Sequence, residues 1–221
     1  MSAILFDMDG TLVDSEPLWL AAEIEVMESV GCVWTQEDQL LCLGGPRERT
    51  ESIMQERSKG VKPFGFFGDQ LDLLMAKKLR DELELIPNAL EIISDCRGYG
   101  LKVALVTASG AVLMNNVLQR FPKDTFDTTV CADDVIKSKP DPAPYLLAAK
   151  KLGVDIKSCV VVEDSVTGVT AGLSSGAQVI GIPHLVNLPA HDNLRIVKKL
   201  SDLDLTQLLN WYPFLVRDSN G

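Results

Sequence analysis

Short apolar segments that alternate with helical patterns constrain the fold of this chain more than any other feature. Residues 3–6, 101–106, 159–162 and 178–182 are almost purely apolar, and helical patterns follow the first three. Strands that are apolar at consecutive positions are typical of a parallel sheet covered by helices on both faces. The sequence therefore predicts an α/β fold with a doubly wound parallel sheet.

The region from Ser15 to about Leu85 interrupts this alternation. Its apolar residues recur at helical spacing in 19–30 and 69–83, and no strand candidate is as clear as those outside it. The region is also too long for a crossover connection, which usually needs only a single helix. We therefore predict a helical cap domain at residues 15–85, inserted into a Rossmann-like core formed by residues 1–14 and 86–221.

Local signals predict where several elements begin and end. Ser15 is expected to cap the first helix, because a serine oxygen accepts hydrogen bonds from a helix N-terminus. Gly168 and Gly172 lie one turn apart in a predicted helix, where each glycine costs about 1 kcal/mol against alanine. We therefore expect close packing on the sheet at one of them at least. Towards the C-terminus we expect a last strand at 178–182, one or two short helices at 194–210 and a frayed end at 216–221.

The formal net charge of −10 argues against nucleic acid or an anionic membrane as the main partner. A small anionic substrate is compatible with this charge if the site holds a metal ion or local cations. No basic leader opens the sequence, and no apolar run approaches the roughly 20 residues of a membrane span. The scattered cysteines lack C-x-x-C spacing and suggest a reducing compartment. We expect a cytoplasmic monomer.

Polar side chains follow the predicted strands where each strand ends. Because ligands bind beyond the carboxyl ends of parallel strands, we expect these side chains to meet in one pocket. Acids, hydroxyl groups and a fixed cation suit phosphoryl transfer, in which Mg²⁺, a lysine and hydrogen-bond donors stabilise charge on the phosphoryl oxygens. The residues concerned are Asp7, Asp9, Thr107, Ser109, Lys139, Glu163 and Asp164.

With these residues in this order along the sequence, the chain resembles the haloacid-dehalogenase-like phosphatases over essentially its whole length. The four matching motifs are Asp7-Met8-Asp9-Gly10-Thr11, Thr107, Lys139-Pro140 and Glu163-Asp164-Ser165. The position of the helical insertion is similar to that in the β-phosphoglucomutase-like branch, whose cap lies just after the first motif. Four motifs in order at strand ends are far more specific than any one alone.

The resemblance implies a role for each matching residue. Asp7 would be the nucleophile that becomes a phosphoaspartate, and Asp9 would protonate the leaving oxygen and then activate water. Lys139 would neutralise charge between the nucleophile and the phosphoryl group.

The resemblance also implies the ligands of the metal ion and of the phosphate. Mg²⁺ would be bound by the Asp7 carboxylate, the Asp9 backbone carbonyl and Asp164, with Glu163 in an outer or alternate position. Thr107 and Ser109, with backbone N–H groups near Met8 and Ala108, would bind the phosphate.

The substrate and the reaction leave alternatives open. The expected activity is hydrolysis of a small phosphomonoester, and the opening of the cap region is similar to that of sugar-phosphate phosphatases. A phosphosugar mutase is the main alternative, but Trp19 stands where similar mutases have a histidine, and Thr11 is the phosphatase-like residue. Arg47 and Arg49 are the cap candidates for substrate contact, although a solvated helix start accounts for them equally well.

Two further classes of protein share part of this residue pattern. A phospho-acceptor signalling domain also combines acids, a threonine and a lysine, but it lacks a large cap here and its accepting aspartate follows a later strand. A Mg²⁺-binding protein without activity would be expected to lack a catalytic position, and none is missing.

Overall fold

A six-stranded parallel sheet organises the fold. The computed structural model describes residues 1–183 and 187–216. The strands follow the order β3-β2-β1-β4-β5-β6, so the first strand lies in the middle of the sheet. Their bounds are β1 (Ala3–Phe6), β2 (Lys102–Val106), β3 (Thr128–Val130), β4 (Cys159–Glu163), β5 (Gln178–Gly181) and β6 (Leu194–Ile196). The predicted doubly wound parallel fold is confirmed.

The described helices divide into those before and those after residue 85. The first group comprises α1 (Glu16–Ser29), α2 (Gln36–Cys42), α3 (Arg47–Arg57) and α4 (Phe66–Asp81). The second comprises α5 (Ala89–Tyr99), α6 (Ala111–Leu118), α7 (Ala143–Leu152), α8 (Val166–Ser175) and α9 (Leu205–Trp211). Within the described ranges, no helix is long and apolar enough to cross a membrane.

Alternate residues of the central strands face two different apolar clusters. Ile4 and Phe6 pack in one cluster with side chains of α5, α6 and α9, whereas Leu5 packs in the other with side chains of α7 and α8. All four residues of β1 are buried. Burial of both faces explains why the central strands are apolar at every position rather than at every second one.

The helices α1 to α4 lie between β1 and α5 in the chain, and they pack against one another. Their buried apolar side chains include Met27, Met54 and Met75. The two chain segments that join this region to the sheet run antiparallel: Asp14 N donates to Glu84 O at 3.0 Å, and Ile86 N donates to Leu12 O at 2.9 Å. The division into a core and a cap at residues 14/15 and 85/86 remains our proposal.

Some predicted element bounds are wrong. Residues 194–196 form a sixth strand, whereas the sequence predicted the last strand at 178–182 and helix from 194 onwards. Two of the three residues of this edge strand are exposed, so no apolar run marks it. The short helix α2 was not predicted, and α4 begins at Phe66 rather than Asp69. Of the frayed end expected at 216–221, residues 217–221 lie outside the described residues.

Candidate active site

The sheet brings three buried carboxylates together. Asp7 follows β1, Glu163 ends the neighbouring strand β4, and Asp164 comes next in the chain. Each offers an oxygen within 4.8 Å of the others. Register places Phe6 opposite both Leu105 and Val162, so β1, β2 and β4 end at the same level. The convergence expected from the sequence is therefore present, and the chemical roles of these residues remain predictions.

Lys139 lies between two of these carboxylates. Its side chain is 2% exposed, and its Nζ donates to Asp7 Oδ1 at 2.5 Å, to Glu163 Oε1 at 2.7 Å and to Val106 O at 2.9 Å. Burial alone would lower the pKa of Lys139, but the charges of Asp7 and Glu163 outweigh it and raise the pKa above its usual range. The ammonium is therefore charged and fixed in place.

One lysine does not balance three buried acids. Burial and the charge of Glu163 raise the pKa of Asp7 to about 7, although Lys139 opposes the shift. Burial and the charges of Asp7 and Glu163 also raise the pKa of Asp164 well above its usual value. Like charges this close favour a bound cation. Because all the donors are carboxylate oxygens, the cluster fits a hard divalent ion such as Mg²⁺.

Both oxygens of the Glu163 carboxylate accept hydrogen bonds from other groups of the protein. Its Oε1 accepts from Lys139 and from Tyr145 Oη, the latter at 2.7 Å. Its Oε2 accepts from Asp164 N at 3.1 Å and from the hydroxyl of Ser165 at 3.1 Å. Among the hydrogen bonds of the described residues, none uses the carboxylate of Asp164. Asp7 and Asp164 are therefore better placed than Glu163 to bind a metal ion directly.

Hydroxyl groups surround Asp9. Ser15 Oγ donates to Asp9 Oδ1 at 2.6 Å, while Ser109 Oγ and Thr107 Oγ1 donate to Oδ2 at 2.9 and 3.3 Å. The prediction that Ser15 caps α1 with its side chain is wrong. Its backbone is already helical, with φ −91° and ψ −14°, and its hydroxyl binds Asp9 instead.

The turn after β2 and the residue after Asp7 carry backbone N–H groups without a hydrogen-bond partner among the described residues. Thr107 Oγ1 accepts from Ser109 N at 2.9 Å, which fixes the turn between β2 and α6. None of the hydrogen bonds of the described residues uses the N–H groups of Met8 and Ala108. These two groups follow neighbouring strand ends, where the resemblance places the phosphate.

Two glycines make room for the carboxylates. Gly10 has φ +75°, and a Cβ there would lie 2.1 Å from Asp164 Oδ2. A Cβ at Gly168 would lie 1.7 Å from Glu163 Oε1. Gly172 packs on the sheet, since its Cβ would lie 3.1 Å from side-chain atoms of Val161 and Val179. The expected close packing at Gly168 or Gly172 is confirmed.

A cavity of about 810 Å³ extends from the acids towards α1 to α4. Trp19 and Arg47 line it, and the substrate contact expected of Arg47 remains a prediction. Arg47, however, is already paired, because it donates to Asp69 and Asp72 on α4. Arg49 is exposed and is not among the described lining residues.

Sequence reasoning missed two residues of the site. Tyr145 is fully buried, donates to Glu163, and its ring centroid lies 5.1 Å from Lys139 Nζ. It occupies an apolar position of α7, so its spacing indicates core packing and nothing more. The contact between Ser15 and Asp9 was missed because serine before Glu16-Pro17 is typical of a helix cap.

The fold and the acidic cluster together define an α/β enzyme whose site lies at the carboxyl ends of parallel strands. Residues 4–182 match the model of the haloacid dehalogenase-like hydrolases, and the chain belongs to this family. The resemblance inferred from the four motifs is thereby confirmed.

Two curated relatives have named activities. Hexitol phosphatase B of Escherichia coli strain K12 is 36% identical over 184 residues, which cover 82% of this chain and 83% of that protein. The phosphorylated carbohydrates phosphatase of Thermotoga maritima is 31% identical over 189 residues, covering 85% of this chain and 88% of that protein. The prediction of a haloacid-dehalogenase-like phosphatase is confirmed by the family and these relatives.

The fold also matches solved structures across almost the whole chain. The crystal structure of β-phosphoglucomutase from Clostridium difficile has a TM-score of 0.81 at 20% identity, covering 98% of this chain and 100% of that one. At this identity the likeness establishes the fold alone, and it does not distinguish a mutase from a phosphatase.

Proposed function

We propose that this chain is a Mg²⁺-dependent phosphatase that hydrolyses a small phosphomonoester, a sugar phosphate in particular, through a phosphoaspartate at Asp7. The contact between Asp7 and Lys139 carries the proposal. The carboxylate lies at the end of the cavity, at 2.5 Å from a buried ammonium that can stabilise a phosphoryl group next to it. The two phosphatase relatives support hydrolysis, and their names favour a phosphorylated carbohydrate.

The reaction proceeds in two displacements at phosphorus. An oxygen of Asp7 attacks the phosphorus atom, and the bond to the leaving oxygen breaks while the carboxyl of Asp9 gives that oxygen its proton. Asp9 then takes a proton from water, whose oxygen attacks the phosphorus atom and releases inorganic phosphate. The Asp7 carboxylate is restored, so the protein is unchanged after one turnover.

Fixed groups hold the phosphoryl oxygens during both steps. The ammonium of Lys139, the hydroxyl groups of Thr107 and Ser109 and the N–H groups of Met8 and Ala108 supply positive charge and donors. The Asp7 and Asp164 carboxylates and the Asp9 carbonyl would hold Mg²⁺, with Glu163 outside, and the bound ion would add positive charge at the phosphoryl oxygens. Because Asp7, Thr107 and Asp164 directly follow strands of the sheet, little reorganisation of the backbone is needed.

The nucleophile is tested by Asp7→Asn, assayed as phosphate release from sugar monophosphates with Mg²⁺. We expect a loss of about 10³-fold or more in kcat/KM, because the amide oxygen is a poor nucleophile. Asp95→Asn, the same change on the exposed side of α5, is the control and keeps wild-type activity. Full turnover by Asp7→Asn would refute the assignment of the nucleophile.

The product distinguishes the phosphatase from the mutase. Incubation with a sugar 1-phosphate is expected to give inorganic phosphate and free sugar, because Trp19 lines the cavity where similar mutases have a histidine. Formation of the 6-phosphate isomer without phosphate release would show that the alternative is correct.

A further inference from the structure

The cavity is strongly acidic at the end formed by the helices. Among the lining residues in the described part of the chain, the cations are Lys139 at the sheet and Arg47 at the start of α3. The lining residues from α1 to α4 and their connections also include five acids, which are Glu16, Glu23, Glu48, Asp69 and Asp72. A ligand that extends from Asp7 towards these helices therefore meets more acidic side chains than cations, and among those acids burial raises the pKa of Glu16 to about 8 and that of Glu23 to about 7.

The charge of Arg47 is already balanced by two carboxylates. Its Nε donates to Asp72 Oδ2 at 3.1 Å, and its Nη2 donates to Asp69 Oδ1. A single positive charge thus faces two negative ones, and the group of three side chains has a net charge of −1. An anionic ligand that approaches the part-exposed guanidinium would therefore lie next to both carboxylates.

The pairing of Arg47 is built into the packing of α3 against α4. A Cβ at Gly68 would lie 2.7 Å from Arg47 Cζ, so the missing side chain at this position lets the guanidinium lie against the first turn of α4. Asp69 and Asp72 lie on that same helix, one and four residues further along. The helix that carries both acids therefore places them next to the guanidinium.

Other polar groups of this wall suit uncharged hydroxyl groups. Gln39 is buried and lines the cavity, and its Nε2 donates to Glu16 O at 2.9 Å and to Glu16 Oε2 at 3.3 Å. Thr50 adds a hydroxyl to the same lining. Amide, hydroxyl and carboxyl groups hydrogen-bond to alcohols without requiring a charge on the ligand.

We infer that the cavity selects a phosphomonoester whose leaving group is an uncharged polyol, and that Asp69 and Asp72 exclude substrates with a second anionic group by neutralising Arg47. The inference rests on the proposed function and narrows its substrate class. A second phosphate carries about −1.5 to −2 charges at pH 7, and it would lie against a group of side chains with the same sign. Juxtaposed like charges disfavour a partner even where its shape fits.

This selectivity also bears on the mutase alternative. An enzyme that returns its phosphoryl group from Asp7 to a sugar monophosphate makes a sugar bisphosphate inside the cavity. It must then hold the second phosphate at the helical end while the first is exchanged. Because Arg47 already donates to Asp69 and Asp72, it adds little net positive charge to bind that phosphate. The arrangement therefore favours transfer of the phosphoryl group from Asp7 to water.

The test compares fructose 1-phosphate and fructose 6-phosphate with fructose 1,6-bisphosphate, which contains both monoesters. We measure the ratio of kcat/KM for the bisphosphate to kcat/KM for the better monophosphate, because a ratio does not depend on the fraction of folded enzyme. The wild-type ratio is expected to lie below about 0.1. In the double variant Asp69→Asn/Asp72→Asn, the group around Arg47 changes from −1 to +1, and we expect the ratio to rise at least about tenfold.

Two further variants assign the effect. Adding Arg47→Ala to the double variant should abolish the rise, because the freed guanidinium is its cause. Asp81→Asn lies on the same helix, outside the described cavity lining, and should leave the ratio unchanged. Phosphate release with the same ratio in wild type and double variant would overturn this inference alone. Absence of release from any sugar phosphate would overturn the proposed function and this inference with it.

Discussion

Replacing Gly168 by alanine tests whether the network around Glu163 holds the site together. A Cβ at Gly168 would lie 1.7 Å from Glu163 Oε1 and 2.1 Å from Oε2, whereas real Cβ contacts below 3.0 Å essentially never occur. The methyl group and the carboxylate must therefore separate by at least about 1.3 Å, the difference between 3.0 and 1.7 Å. Since both lie in buried parts of the chain, the shift disturbs every partner of Glu163.

The size of the effect follows from the hydrogen bonds that this shift breaks. Glu163 Oε1 accepts from Lys139 Nζ and Tyr145 Oη at 2.7 Å each, and a displacement of this size takes them out of hydrogen-bond range. Hydrogen bonds to charged groups contribute about 1.5–3 kcal/mol each, and alanine regains roughly 1 kcal/mol in the helix. We expect the free energy of unfolding to fall by about 2–5 kcal/mol and activity to fall with it.

The assay is urea denaturation followed by tryptophan fluorescence, together with kcat/KM for phosphate release. Gly98→Ala is the matched control, because Gly98 is an exposed helical glycine whose Cβ would have nothing within 4 Å. That variant should gain about 0.5–1 kcal/mol. If Gly168→Ala were as stable and as active as the control, Glu163 would not position Lys139 in the way described.

Two further predictions concern buried acids of the helical region. The buried Glu51 carboxylate accepts hydrogen bonds from the N–H groups of Gly65 and Gly68 at 2.8 and 2.7 Å. Glu51→Ala leaves both N–H groups unpaired, so it should lower the free energy of unfolding, measured by urea denaturation, by about 2–4 kcal/mol. Burial raises the pKa of Glu23 to about 7, so the folded protein binds more protons than the unfolded chain between about pH 4.5 and 7. Stability should therefore fall as pH rises through this window, and Glu23→Gln should remove up to about 3 kcal/mol of that fall, with the exposed Glu25→Gln on the same helix as the control variant.

The central sheet could be predicted because burial on both faces leaves a direct trace in the sequence. Residues 3–6 and 159–162 are apolar at every position, whereas strands of a sheet with one solvated face would alternate between apolar and polar residues. The edge strand β6 leaves no such trace, since Arg195 and Ile196 are exposed. The helix α2 has only seven residues, and its capping box between Thr35 and Asp38 offers a weaker signal than a long amphipathic pattern.

The acids of the site could be predicted because strand ends meet at one edge of a parallel sheet. That rule places Asp7 and Asp164 together without any knowledge of helix packing, whereas Lys139 lies in the loop between β3 and α7 and was expected there from its match to the third motif. The contacts of Tyr145 and Arg47 depend on how helices pack side by side, which no short motif encodes. For the same reason, the sequence indicated Arg47 as a candidate for substrate contact but could not show that it forms ion pairs with Asp69 and Asp72.

The antiparallel pairing of residues 12–14 with 84–86 has a consequence for how this protein can change. The chain leaves the sheet region at residues 12–14 and returns to it at the adjacent residues 84–86. A tight turn joining these two segments in place of residues 15–83 would therefore leave the strand order of the sheet intact. Insertions between such points can lengthen, shrink or be exchanged without altering the scaffold beneath them. Under the proposed function, Asp7 and the other groups that cleave the phosphate ester lie outside this insertion, whereas Asp69 and Asp72 lie within it.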